Sequence, residues 1–181
     1  FQIPSDDLVL VGTAEHALVP MHKDEVLDVK TFPLRYAGFS NAYRREAGSY
    51  GKDTRGILRV HQLDKVEMVS FVKKGEDDAE HEYLLSLEEN FFKALDIPFQ
   101  VIKMCTGDLG FPAARKYDIE AWMPSQKKYR EVTSVSTVTD FQSRRLKIRY
   151  RDGDTTEYAM ILNGTAFAIG RTLIAILENY Q

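Results

Sequence analysis

Apolar and polar positions along the 181 residues alternate in short bursts, and the period of each burst predicts an element. Residues 80–95 place Leu84, Leu87, Phe91, Ala94 and Leu95 at helical spacing with acids on the other face, which predicts an amphipathic helix. The charged turn KKGEDD starts this helix and Asp96-Ile97-Pro98 ends it. A second stripe, Ala166, Ile169, Leu173, Ile176, Leu177 and Tyr180, predicts a C-terminal helix from about Thr165, capped by Asn163-Gly164-Thr165. Period-two segments predict strands over residues 7–12 (short and buried), 99–105, 118–123, 129–135, 144–151 and 156–162, with RDGD turning the chain at 151–154. Thr13 is placed to cap a short helix that breaks or restarts near Pro20.

Residues 39–67 read as β-loop-β, with residues 31–36 leading in and the second strand running over 57–71. On the first strand Arg44 and Glu46 share a face; on the second, Arg59, Leu63 and Glu67 share a face, with His61 and Lys65 between them. The loop between carries Gly48, Ser49, Gly51, Lys52, Asp53 and Arg55, a flexible cationic lid suited to a phosphorylated ligand. Strands follow one another with few crossover helices, so the expected fold class is α+β: a largely antiparallel sheet with helices on one side, forming a single domain over residues 1–181.

Charge narrows the function. A net charge of −3 argues against a general nucleic-acid coat, so the positive charge is local: it sits in residues 39–67 and again around 144–151. One cysteine, Cys105, rules out an internal disulfide or a multi-cysteine zinc site and fits a reducing, cytoplasmic setting. No apolar run approaches a membrane span. His61, Cys105 and Trp122 lack partner spacing for catalysis and are read as structural.

Six long words then point one way: VGTAE, YRREAGSYGKDTRGILRVHQLDKVE (with Leu63 as the departure discussed below), CTGDLGFPAARKYDIEAWMPSQ, YREVTS, TDFQSRR and LNGTAFAIGRTLIAILENYQ. In this order they resemble the catalytic domain of seryl-tRNA synthetase, a class II aminoacyl-tRNA synthetase, over nearly the whole chain. The resemblance implies activation of L-serine by ATP to seryl-adenylate with release of pyrophosphate, then seryl transfer to tRNA(Ser), with magnesium as the metal. Such chemistry needs two anions held in line and the developing charge neutralised, which suits arginine and magnesium better than a nucleophile.

Carried over position by position, the resemblance gives Arg44 the serine carboxylate and the α-phosphate. It gives Glu46 the adenine amino group, beside the Val60 backbone. Arg59 and Arg171 go to the γ-phosphate, Glu67 and Thr165 to the serine hydroxyl, and Thr13 and Glu15 to the amino group, with Asn163 supporting the serine pocket. Glu131 and Ser134 would hold magnesium with Arg130 nearby, and Val132 and Thr133 complete the ATP-facing segment. Arg44 and Arg171 are the expected catalytic cations. Glu131 and Ser134 point to opposite faces of an ideal strand, so these roles require a bulge or bend there.

The family usually has phenylalanine, stacked on adenine, where this chain has Leu63. Loss of that stack is worth roughly 1–3 kcal/mol, or roughly 5- to 150-fold in ATP affinity. Two valines, Val135 and Val138, stand where small polar residues or cysteine are common. The chain opens with Phe1 and lacks the family's N-terminal coiled coil and first class motif, so a minimised fragment is expected. The family is homodimeric, and the surface its dimer motif covers predicts self-association. Arg144, Arg145 and Arg149 suit contact with tRNA or a solvated strand edge equally. Two alternatives remain at this point. One is a synthetase-like ligase loading an amino acid on a carrier protein, which Glu67 and Thr165 disfavour. The other is a truncated ATP-binding core with little turnover.

Overall fold

The computed structural model describes residues 1–47, 53 and 56–181, so most of the expected lid (Gly48, Ser49, Gly51, Lys52 and Arg55) lies outside the described residues. In chain order the first half contains β1 (Gln2–Ile3), β2 (Leu8–Val9), α1 (Glu15–Leu18), β3 (Val26–Asp28), β4 (Leu34–Tyr43), β5 (Gln62–Val72) and α2 (Asp77–Ala94). The second half contains β6 (Phe99–Lys103), β7 (Arg115–Met123), β8 (Lys128–Thr137), α3 (Phe141–Leu146), β9 (Arg149–Asp152), β10 (Thr155–Tyr158), β11 (Met160–Ala168) and α4 (Ile169–Tyr180). Six strands form the main sheet in the order β4-β5-β11-β8-β7-β6, every pairing antiparallel. A small sheet, β10-β9-β3, holds a parallel pair between β3 and β9. The α+β expectation stands.

Strand alternation sends Met68, Val72 and Leu162 to one face, where Leu84 and Phe92 of α2 and Ala175 of α4 complete a buried core. It sends Val69, Phe71 and Ile161 to the other, where they pack with Val19, Val138, Ile148 and Tyr150. Helices therefore occupy both faces, not one. The long α2 and α4 cover the first, while the short α1 and α3 cover part of the second and leave the rest open. Gly38 lets α1 approach: a Cβ there would lie 3.0 Å from Leu18 Cδ1 and 3.3 Å from Ala14 Cβ.

Several expected boundaries move, each for a physical reason. Residues 7–12 are not a buried strand: Leu8 and Val9 are 57% and 67% exposed. Arg44 and Glu46 lie beyond the end of β4, and Arg59 precedes β5, so strand alternation is not what brings them together. On β5 itself Leu63, Lys65 and Glu67 all share one face, opposite Ala42, Ser40 and Gly38. Residues 141–146 form a helix before the short β9, so the expected strand over 144–151 begins as α3. Asn163-Gly164-Thr165 is no helix cap: these residues sit inside β11, paired to Val69, Met68 and Glu67. On α4, Leu173, Leu177 and Tyr180 face outward at 46%, 50% and 57% exposure, while Thr172 and Ala175 are buried.

On α2 the separation of acids from the core fails, because Glu80 and Glu88 are buried while Ala94 is exposed. Glu80 is tolerated there because Arg35 of β4 holds it with Nε at 2.7 Å and Nη2 at 2.8 Å, and Ser70 Oγ donates at 2.7 Å. Glu88 is tolerated because Gly164 leaves it room: a Cβ at Gly164 would lie 2.9 Å from Glu88 Oε1 and 3.2 Å from Val135 Cγ2. We therefore expect Gly164→Ala to cost about 1–3 kcal/mol of stability in urea denaturation through overpacking. An unchanged midpoint would mean that Glu88 can retreat.

Candidate active site

The open part of the second face leads into a cavity of about 750 Å³ at the ends of β4, β5, β8 and β11. Its lining includes Arg44, Glu46, Arg59, Val60, Leu63, Lys65, Glu131, Val132, Thr133, Ser134, Thr165 and Arg171. Arg44 is fixed just past β4 by its backbone N–H, which donates to His61 O at 2.8 Å, and by its Nε, which donates to Gly12 O at 3.1 Å. Glu46 turns out of the strand path with a φ of 51° and forms an ion pair with Arg59. Arg171 projects from the first turn of α4, donating to Leu58 O at 3.3 Å and Glu131 O at 2.8 Å, with Glu131 Oε2 at 3.4 Å. Arg130 lies apart, in a smaller adjoining cavity of about 320 Å³ that also contains Asp53, Glu131 and Arg171. There Arg130 is paired with Asp53.

Two bulges build this wall. In β8, Glu131 pairs with Glu120 and Thr133 with Ile119, leaving Val132 as the extra residue. Glu131 and Ser134 consequently share a face although three residues apart, as the sequence required. In β11, Thr165 pairs with Glu67 and Phe167 with Val66, leaving Ala166 extra. Thr165 and Ala168 then both line the cavity, and the chain turns into α4 with Arg171 aimed back across it.

The remaining site residues, Thr13, Glu15, Glu67 and Asn163, do not line the large cavity but form a polar cluster beside it. Thr13 is 8% and Glu67 2% exposed. Glu15 Oε1 accepts from Asn163 Nδ2 at 3.2 Å and from Gln142 Nε2 at 2.5 Å, and the Glu15 N–H donates to Thr13 Oγ1 at 3.2 Å. Lys65 joins the two compartments: it lines the cavity, pairs with Glu67 and reaches Thr13 Oγ1 at 3.5 Å. Burial pushes the Glu67 carboxyl up to about 7, against the opposing pull of Lys65.

Sequence reasoning missed Lys65, Gln142 and Glu88. Lys65 stands two residues before Glu67, and strand parity alone puts it on the same face. Glu88 stands at helical spacing from His81, Leu84, Leu85 and Phe92, so its inward position was also readable. Fully buried beneath the site, Glu88 accepts from Thr133 Oγ1 at 2.9 Å, and burial raises its carboxyl well above the usual range. His81 is held neutral between two partners: Nε2 donates to Val135 O at 3.0 Å and Nδ1 accepts from Arg115 Nε at 2.8 Å, with burial lowering its pKa. Cys105 is exposed, with Asp108 Oδ2 3.8 Å from its sulfur. Among the described residues no helix is long and apolar enough to cross a membrane.

The Glu67 shift sets a pH dependence. A carboxyl at about 7 in the folded chain and 4.5 unfolded binds its proton more tightly when folded. Its stabilising contribution is full below the unfolded value and is lost as pH rises through about 7, a swing of about 3 kcal/mol. Glu88 and Asp118, also raised by burial, act in the same direction, whereas His81 acts in the opposite one. Between about pH 5 and about pH 8 the urea midpoint of the wild type should therefore fall more than that of Glu67→Gln. Parallel slopes for the two proteins would remove Glu67 as the source.

Comparison with known proteins agrees with this fold. The chain is 58% identical over its whole length to the serine–tRNA ligase of Acidothermus cellulolyticus and 56% identical to that of Streptomyces coelicolor. It spans 43% of the length of each of these curated relatives. A crystal structure of seryl-tRNA synthetase from Pyrococcus horikoshii complexed with ATP superposes with a TM-score of 0.96 at 50% identity, covering 100% of this chain and 41% of that one. The cytoplasmic serine–tRNA ligase of Naegleria fowleri in complex with AMP gives 0.89 at 38% identity, over 94% of this chain and 41% of that one. The family described as the tRNA synthetase class II core domain (G, H, P, S and T) matches residues 1–180, and the chain belongs to it.

Proposed function

We propose that the chain activates L-serine with ATP, forming seryl-adenylate and pyrophosphate, and that the seryl group then passes to tRNA(Ser) in the cytoplasm. One observation carries the reading: a cavity lined by Arg44, Arg59, Arg171, Glu131 and Ser134 lies beside a hydrogen-bonded polar cluster of Thr13, Glu15, Glu67 and Asn163. The first suits a nucleotide triphosphate and the second a small zwitterion with a hydroxyl. The names of the relatives support the same pairing.

In this reading a serine carboxylate oxygen attacks the α-phosphorus, and the bond to the bridging oxygen breaks with its electron pair leaving on pyrophosphate. Arg44 orients the carboxylate against the α-phosphate, and Arg59 and Arg171 hold the γ-phosphate. Bidentate guanidinium contacts impose direction that a lysine would not. Glu46 and the Val60 backbone take the adenine edge, with Leu63 beneath the ring, Val132 and Thr133 in the ATP-facing wall, and Arg130 near the magnesium ligands from the adjoining cavity. Glu15 and Thr13 take the amino group. Glu67 and Thr165 take the hydroxyl, so alanine would leave a buried carboxylate unpaired. Lys65 must then yield its place beside Glu67 and Thr13 as serine arrives.

Magnesium fits the donor set: the β8 bulge brings the hard oxygens of Glu131 and Ser134 onto one face, and substrate phosphates complete such a site. Bound there, it supplies charge neutralisation at the phosphates. Among the described residues no group of three or more His, Cys, Asp or Glu side chains could hold a metal unaided.

Exchange of labelled pyrophosphate into ATP should require serine. Exchange driven by glycine or alanine, or none, would sink the reading. Arg44→Ala should lower the exchange rate about 10²–10³-fold. Leu63→Phe should tighten ATP binding by up to about tenfold, read as a lower ATP concentration at half-maximal exchange; no change would mean that the adenine does not lie over residue 63.

A further inference from the structure

The basic segment over residues 141–151 is not used by the activation chemistry. It carries Arg144, Arg145, Lys147, Arg149 and Arg151 with no acid among them. Its helix, α3, also carries Phe141, and the guanidinium carbon of Arg145 lies 3.5 Å above the centre of the Phe141 ring. Phe111, from the loop between β6 and β7, meets Phe141 edge to face with ring centres 5.4 Å apart. Phe111 is 89% exposed, more than any other large apolar side chain among the described residues. Phe111 and the Arg145 guanidinium thus stand at the surface around Phe141, which itself also packs against the core of the second face, and among the described residues the acids paired with this segment are Asp140 at Arg144 and Asp24 at Lys147. Rings and guanidinium planes of this kind stack unpaired bases, and surrounding cations hold the phosphates.

Position adds the direction. Gln142, next to Phe141, donates to Glu15 Oε1 at 2.5 Å, so these rings adjoin the polar cluster that accepts Asn163 Nδ2 through the same oxygen. A partner that must deliver its end to this cluster passes beside the platform.

We propose that Phe111, Phe141 and Arg145 form a stacking platform for an unpaired nucleotide near the 3′ end of an RNA, beside the amino-acid pocket. The identity of the RNA as an amino-acid acceptor rests on the serine-activating reading; the stacking itself does not. Stacking, not charge alone, selects a single strand with a base in place, and Arg145 contributes as a plane as well as a cation.

The test uses the whole 181-residue chain and a 5′-labelled single-stranded RNA hexamer, read by fluorescence anisotropy at low salt, beside the same hexamer with abasic 3′-terminal nucleotides. Phe111→Ala should raise the Kd about tenfold, and Phe111→Trp should restore it. The abasic hexamer should bind the wild type about as weakly as the intact hexamer binds Phe111→Ala, and the two losses should not add. Equal Kd values for wild type and Phe111→Ala, equal binding of intact and abasic hexamers, or no saturable binding would overturn the proposal. So would sedimentation showing a dimer that Phe111→Ala dissociates while RNA affinity is unchanged, since the patch would then belong to a second copy of the chain. Serine-dependent exchange, measured alongside, should be the same in wild type and Phe111→Ala. Absence of exchange in the wild type with the Phe111 effect intact would reject the serine reading and leave the platform standing.

Discussion

Side chains on a strand alternate, and the candidate site depends on two places where that rule is broken. Without the extra residue at Val132, Glu131 would face α2 while Ser134 faced the cavity. Without the extra residue at Ala166, β11 would run on past Thr165 with its register to β5 unbroken, and Arg171 would not be turned back over the opening. Each bulge converts a wall that one regular strand could supply only at every second residue into one with two cavity-lining residues three apart, Glu131 with Ser134 and Thr165 with Ala168. The rest of the sheet can stay regular because the irregularity is confined to these points.

Burying acids next to such a wall creates a second constraint. Glu67 and Glu88 lie on opposite faces of the same sheet region, each desolvated, with Lys65 as the cation packed against Glu67. Desolvation outweighs the ion pair at Glu67, which holds this carboxyl near the point where it is half ionised at neutral pH. A group poised in that way can meet a hydroxyl either as acceptor or as donor. The helix face behind it, through Glu88 and Thr133, holds the strand that carries Ser134.

Much of the architecture was legible. The helix over residues 77–94 and the strands β5, β6, β7 and β8 follow from periodicity, because burial on one side enforces it. What misled were the places where periodicity is local. A helical stripe and a strand cannot be told apart over Asn163–Phe167, since small and β-branched residues serve both, and the bulge at Ala166 mimics a helical step of three. The expected strand over Arg144–Arg151 hid the last half of a six-residue helix, Phe141–Leu146, which is too short for its period to declare itself. The site residues were legible mainly through the long words of the resemblance. Their positions were not: Arg44, Glu46 and Arg59 converge from outside the strands, by turns that no alternation rule foresees. Lys65 and Glu88 were passed over because charged residues were read as solvent-facing, when strand parity and helical spacing both placed them inside.

Three of the arginines in and beside the two cavities are matched with acids, Arg59 with Glu46, Arg130 with Asp53 and Arg171 with Glu131, while Arg44 donates to the Gly12 carbonyl. Most of the site's positive charge is therefore balanced by its own carboxylates, with Arg44 the exception among these arginines. A polyphosphate bound there would exchange partners with these carboxylates, so its affinity would be the difference between two sets of ion pairs. Selection then falls on shape and spacing, since a ligand with the right charge but the wrong distances would displace one carboxylate and leave the others in place. The same balance shields the pocket from the many stray anions of a cell, at the cost of weaker long-range attraction for the right one.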